Sequence, residues 1–231
     1  MNKEKLIEEL NNRSIELTNQ QVDNLFLIMK TTLETNEKFN LTAIKEEGAF
    51  LEKMIFDSAI ALQDIDITYK KVIDVGTGAG FPGLVLYTVN PKCHLTLLDS
   101  TNKKINYLAE FCRENGFDIE CVCSRVEEYH HREEYDYAFA RAVAPLNILL
   151  ELIVPLLKVG GTFISLKGQG YEQEINDSIK AMKKLGCHLE KIIEDVLPES
   201  NETRVMIHIV KDNVTNKKYP RTYADIKKLP L

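Results

Sequence analysis

Between Val72 and Gly83 the chain reads VIDVGTGAGFPG: an apolar run suited to a buried strand, then Gly76, Gly78, Gly80 and Gly83 spaced through a turn, then a helical pattern. No other stretch restricts the fold as strongly. Glycines let a backbone approach a ligand closely, and the start of the following helix offers unsatisfied N–H groups to a polar or anionic group. A turn at the carboxyl end of a strand is also where open α/β sheets bind ligands. Gly78 to Gly83 fit the GxGxxG pattern of dinucleotide enzymes as well, so the turn alone leaves the ligand open.

The flanking sequence supplies the frame. From Lys70 onward short apolar runs alternate with helical segments: KKVIDV, a helix from Gly83, HLTLLD, a helix through Tyr107 and Phe111, IECVCS, and YDYAFARA. Strands buried on both faces and separated by helices predict an α/β fold with a mostly parallel, doubly wound sheet and helices on both faces. A helix from Leu146 to Leu157, the strand TFISLKG, a helix through Ile179 and Leu185, and an antiparallel pair KIIEDVLP and TRVMIHIVK complete the pattern. Ahead of it, apolar residues spaced by three and four from Lys3 to Leu33 predict two amphipathic helices, the second capped by Thr18, and a third helix spans Glu46 to Leu62. The expected organisation is an N-terminal helical extension over 1–67, a catalytic domain over 68–211 and a basic tail over 212–231.

Composition narrows the chemistry. The 231 residues include five cysteines without CxxC spacing, which suits reduced thiols, and His130 and His131 are adjacent and cannot share a helical face, so no metal site is expected. No apolar run approaches the roughly 20 residues that span a bilayer, and MNKEKLIEEL is too charged for a secretory signal. The expectation is a soluble, cytoplasmic protein without a membrane partner, and nothing calls for more than a monomer. A net charge of −6 argues against coating nucleic acid with the whole surface, yet the chain from Lys211 onward carries six basic residues against Asp212 and Asp225. That tail reads either as a solvated terminus or as an arm that contacts phosphates.

Two acids refine the glycine turn. Asp74 opens it as Asp74-x-Gly76-x-Gly78-x-Gly80 straight off the strand, which resembles the first motif of class I methyltransferases, and a leading acid would repel a pyrophosphate. Asp99 ends HLTLLD, where a carboxylate can accept from both hydroxyls of a ribose; this role is common to NAD and S-adenosylmethionine proteins, and an N-cap is its bland alternative. After Asp136 the chain continues Ala140-Arg141-Ala142-Val143-Ala144-Pro145. It lacks the Asn/Asp-Pro-Pro-aromatic motif of amino-group methyltransferases and the nucleophilic Cys of pyrimidine-carbon enzymes. An acceptor with its own lone pair, such as a ring nitrogen, needs neither device.

Eight segments in order, NLTAI, FDS, DVGTGAGFPG, LLDSTNKKINYL, SRVEEY, ARAVAPL, SLKGQ and KKYPR, resemble the RsmG family, also called GidB. The resemblance implies a Rossmann-like class I methyltransferase that transfers a methyl group from S-adenosyl-L-methionine to guanine N7 in 16S ribosomal RNA of the small ribosomal subunit. It implies cofactor contacts at Gly76, Gly78, Phe81, Asp99, Val126, Glu127 and Arg141, with Arg141 and Lys167 at the reacting groups. Arg125, Lys167, Arg204 and Arg221 match its RNA-facing basic positions. Two departures stand out: Met54 occupies the segment where the family carries His, and Thr222-Tyr223-Ala224-Asp225-Ile226 replaces a more basic Gly/Pro-containing tail. The alternatives are a methyltransferase for a small molecule or protein, a non-catalytic S-adenosylmethionine-binding assembly factor and, third, a nicotinamide oxidoreductase.

Overall fold

The computed structural model describes residues 1–231. The apolar runs become seven strands, β1 (Lys71–Val75), β2 (His94–Asp99), β3 (Ile119–Cys123), β4 (Tyr135–Arg141), β5 (Leu157–Lys167), β6 (Cys187–Val196) and β7 (Thr203–Lys211), in the order β3-β2-β1-β4-β5-β7-β6. β1 to β5 are parallel, and β7 runs antiparallel between β5 and β6. This is the expected mostly parallel sheet. Strand order reverses between β1 and β4, which opens a crevice at their carboxyl ends.

Strand period of two sends alternate residues to opposite faces. Val72 and Leu97 face one apolar cluster, while Ile73 and Leu98 face the other. On the first face lie α1 (Lys3–Asn11), α2 (Asn19–Asn36), α5 (Gly83–Val89) and α6 (Asn102–Asn115), contributing Leu6, Leu25, Leu84 and Leu108. On the second lie α7 (Leu146–Ile153), α8 (Tyr171–Leu185) and α9 (Tyr223–Lys228), contributing Leu149, Met182 and Ile226. Both flanking segments are therefore packed onto the sheet. No helix is long and apolar enough to cross a membrane.

Local signals explain the docking. Thr18 and Gln21 form a reciprocal capping box at the start of α2, and the Gln21 amide also donates to Thr88 O and Val89 O at 3.0 and 2.8 Å. The extension thereby satisfies carbonyls left open at the end of α5. Arg13 makes two bonds to Asp195 of β6, at 2.6 and 2.7 Å, tying α1 to the far edge of the sheet.

Two elements depart most from the sequence expectation. The helix expected from Glu46 to Leu62 is a composite: α3 (Glu47–Phe50), a π-helical turn over Leu51–Phe56, α4 (Asp57–Ala59) and a 3-10 turn over Ile60–Leu62. Asp57 N donates to Glu52 O, five residues back, so the wider turn displaces the side chains that follow. β5 begins at Leu157 rather than Thr162, because Gly160 and Gly161 form an irregularity in the strand. Pairing with β4 slips there, from Tyr135 opposite Leu157 to Tyr137 opposite Thr162.

Candidate active site

The turn after β1 is built around its acid. Asp74 is fully buried, and its Oδ2 accepts from Thr77 Oγ1 at 2.6 Å and from Gly83 N at 2.8 Å, tying the strand end to the first residue of α5. Burial pushes its carboxyl up to about 6, against those two hydrogen bonds and nearby Arg141. The side chain sits behind the turn. The charge-repulsion reading of Asp74 is corrected accordingly: the carboxylate braces the loop instead of facing a ligand. Gly76 has a φ of +72°, and a Cβ on it would stand 2.6 Å from Val143 Cγ2, so the turn and the β4 loop meet too closely for a side chain.

In front of the turn lies a cleft of about 320 Å³ at the ends of β1, β2 and β4. Its walls include Gly76, Gly78, Asp99, Ser100, Lys104, Arg125, Val126, Glu127, Arg141, Ala142, Val143, Leu152 and Tyr223. Asp99 Oδ2 accepts from Gly78 N at 3.0 Å and Oδ1 from Thr101 N at 2.8 Å. A carboxylate has about four acceptor positions, so one remains on each oxygen for a vicinal diol. Thr101, not Asp99, holds the N-cap position of α6. Arg125 is exposed beside this cleft, 3.7 Å from Glu127.

Phe81 is placed elsewhere. It is buried against Phe50 with ring centroids 5.5 Å apart and has the Arg141 guanidinium 5.9 Å from its ring, so it supports the cleft from behind and does not line it.

A second cleft of about 520 Å³ adjoins the first, and the two share Arg141 and Ala142. Ile44, Lys53, Met54, Asp57, Leu166, Lys167, Gly168, Glu174 and Arg204 form the rest of its wall. Asp57, 7% exposed at its side chain, joins two cations: Oδ2 lies 3.4 Å from Arg141 NH1 and Oδ1 lies 3.1 Å from Arg204 Nε. Arg141 NH1 also donates to Lys53 O at 3.1 Å, a carbonyl of the π-helical turn. Burial lowers the Arg141 pKa, opposed by Asp57 and Asp74. For Arg204 burial acts in the same sense, but Asp57 and Glu202 prevail and its pKa is raised.

Lys167 Nζ lies 2.7 Å from Glu174 Oε2 and donates to Ala144 O at 2.9 Å; the same Glu174 oxygen accepts from Leu146 N at 2.7 Å. Lys53 pairs with Glu202. The sequence reading of Arg221 as an RNA contact meets a different environment: its guanidinium is committed to Glu151, a fully buried carboxylate of α7, through Nε at 2.7 Å and NH2 at 2.6 Å.

The sequence residues thus divide into three sets. Gly76, Gly78, Asp99, Arg125, Val126, Glu127 and Arg141 share the first cleft, Arg141, Lys167 and Arg204 share the second, and Phe81 and Arg221 lie outside both. Sequence reasoning passed over Lys104, Leu152 and Tyr223 in the first and Lys53, Asp57 and Glu174 in the second. The FDS segment signalled Asp57 without indicating its two arginines.

The first cleft suits a nucleoside carrying a small charged extension. A close-approach turn, spare acceptor positions on Asp99, apolar walls at Val126 and Leu152, and a Lys104 ammonium fit the diol, the base and the carboxylate of S-adenosylmethionine.

Comparison with known proteins gives concordant matches. A family model described as rRNA small subunit methyltransferase G matches residues 6–201. Ribosomal RNA small subunit methyltransferase G of Alkaliphilus metalliredigens is 43% identical over 93% of this chain and 92% of that protein. The Lactobacillus acidophilus protein of the same description is 38% identical over 100% of both chains. Among solved structures, an Aquifex aeolicus SAM-dependent methyltransferase aligns with a TM-score of 0.55 at 16% identity, covering 77% of this chain and 98% of that one. M. jannaschii TYW2 in complex with AdoMet aligns at 0.58 and 13% identity, covering 73% and 79%. These two likenesses concern the fold.

Proposed function

The chain belongs to the GidB family of rRNA small subunit methyltransferase G, and from that premise we propose that it methylates N7 of a guanine in 16S ribosomal RNA. The observation that carries this reading is the junction of the two clefts at Arg141 and Ala142: a cofactor held at the β1 and β2 ends and a base held beside β4 would meet there. S-adenosylmethionine, when bound, supplies an electrophilic methyl group on a sulfonium. The chain's own residues supply alignment.

Asp99 would hold the ribose diol, the Gly76–Gly78 backbone would take the cofactor chain, and Val126 and Glu127 would offer backbone groups to the purine. Guanine N7 attacks through its own lone pair, so the methyl-transfer step removes no proton and no side chain has to act as general base. Arg141 and Lys167 position the reactants.

Positive charge moves onto the base in this reaction. Four bare cations around the base would oppose that, but Lys53, Arg141, Lys167 and Arg204 are each paired with Glu202, Asp57 or Glu174. The pairing tempers the local potential while leaving N–H groups for phosphate oxygens. Because few of these cations are free to release counterions, the preferred substrate is the small subunit with its proteins rather than bare RNA.

The test uses small subunits from a strain without the gene, incubated with the protein and methyl-labelled S-adenosylmethionine. Label in 16S RNA, located at a guanine that becomes sensitive to borohydride and aniline, is the expected result. Label only in protein or small molecules would overturn the RNA assignment, and equal rates on deproteinised RNA would overturn the subunit preference.

A further inference from the structure

The C-terminal tail enters the cofactor cleft. Tyr223, the first residue of α9, forms part of the cleft wall together with Leu152 of α7 and Val126 of the turn after β3. Val126 follows β3, the neighbour of the strand that ends in Asp99, and a nucleoside whose ribose is held by Asp99 would place its base against this shared wall. Val126 and Leu152 are aliphatic, so Tyr223 is the aromatic component of that wall.

The tail is fixed there by buried chemistry. Glu151 is fully buried on α7, one residue before Leu152, and accepts from Arg221 N at 3.0 Å, Nε at 2.7 Å and NH2 at 2.6 Å. The remaining NH2 proton goes to Leu229 O at 3.1 Å, beyond the other end of α9. Thr222 Oγ1 accepts from Asp225 N, and Ile226 is fully buried in the α7–α8 core. One arginine therefore brackets the short helix, and its position follows from a carboxylate that must be neutralised inside the protein.

We propose that the tail completes the cofactor site: Tyr223 provides an aromatic face for the adenine ring, and the Arg221–Glu151 pair is its positioning device. This rests on the reading of the cleft as an S-adenosylmethionine site. The basic tail then acts on the cofactor, although by charge alone it resembles an RNA arm.

S-adenosylhomocysteine and adenosine are the probes, titrated calorimetrically into the full chain. Tyr223→Ala should weaken both by a similar factor, about fivefold or more, since stacking on a base is worth about 1–3 kcal/mol, and Tyr223→Phe should restore binding. Arg221→Met should weaken S-adenosylhomocysteine too, with Tyr223→Ala leaving the melting temperature near that of the unmodified protein. Because the chain contains no tryptophan, Tyr223→Trp provides a single reporter whose emission should change on ligand addition. Unchanged affinity in Tyr223→Ala while the unmodified protein binds would overturn the tail assignment and leave the cleft assignment standing. Failure of the unmodified protein to bind S-adenosylhomocysteine would overturn both.

Discussion

Asp57 and Arg141 meet 3.4 Å apart beneath the junction of the two clefts, with side-chain exposures of 7% and 16%. Arg141 comes from the end of β4 and Asp57 from just past the π-helical turn, so their contact joins the sheet to the helical extension. Removing one member of a buried pair strands the other, at a cost of about 3–5 kcal/mol. Asp57→Ala should lower stability by that amount and reduce methylation strongly, because Arg204 loses the same partner. Asp57→Asn, which retains an acceptor, should fall between. Chemical unfolding and methyl-transfer rates check both; wild-type stability in Asp57→Ala would show that the pair contributes no net stabilisation.

Lys167 tests the second cleft as the proposed place of the base. Its ammonium bridges Ala144 O and Glu174, holding the β4–α7 loop against the start of α8. Lys167→Ala should lower kcat on small subunits about 10- to 100-fold through misplacement of the base, with affinity for S-adenosylhomocysteine nearly unchanged. An unaltered rate would remove Lys167 from the site.

Gly83 tests the loop brace. A Cβ there would stand 2.2 Å from Leu97 Cδ2 and 2.9 Å from Asp74 Oδ2, although its backbone conformation is ordinary. Gly83→Ala should therefore cost about 1–3 kcal/mol by overpacking and also weaken cofactor binding, since relief of the clash moves Asp74 and with it the turn. Calorimetric titration alongside thermal unfolding separates the two effects.

What was legible in the sequence was periodic or contiguous. Apolar runs separated by helical spacing identified the sheet, and the VIDVGTGAGFPG turn with Asp99 after the next strand led to the first cleft, because each signal is contained in a short stretch of chain. Long-range pairing was not legible. Nothing near Arg221 indicates that Glu151, seventy residues earlier, is buried and needs a cation, so charge composition offered only a solvated terminus or a phosphate-contacting arm for the tail. Phe81 sits in the right motif but faces Phe50, a partner delivered by the extension. The π-helical turn at 51–56 has no sequence signature in its apolar spacing, yet it brings Lys53 O and Asp57 to Arg141.

Two buried groups give the stability a separable pH dependence. Burial raises the Asp74 carboxyl to about 6, so the folded form holds a proton that the unfolded chain releases near 3.8; this contribution is present below about 4 and is lost as pH rises through 6. Burial pushes His208 of β7 down to about 4, with its Nε2 unpartnered, so the unfolded imidazole binds a proton near 6.5 that the folded one refuses. Its penalty grows as pH falls from 6.5 to 4. In the shared window the two effects oppose each other, and a stability profile of the unmodified protein shows only their difference. Single variants separate them. His208→Leu should gain about 2 kcal/mol on the unmodified protein between pH 7 and pH 5, whereas Asp74→Asn should gain about 1 kcal/mol in the opposite direction, between pH 5 and pH 7. Urea unfolding of the three proteins at pH 5, 6 and 7 measures both slopes; parallel profiles would show that neither group carries a shifted pKa in the folded chain.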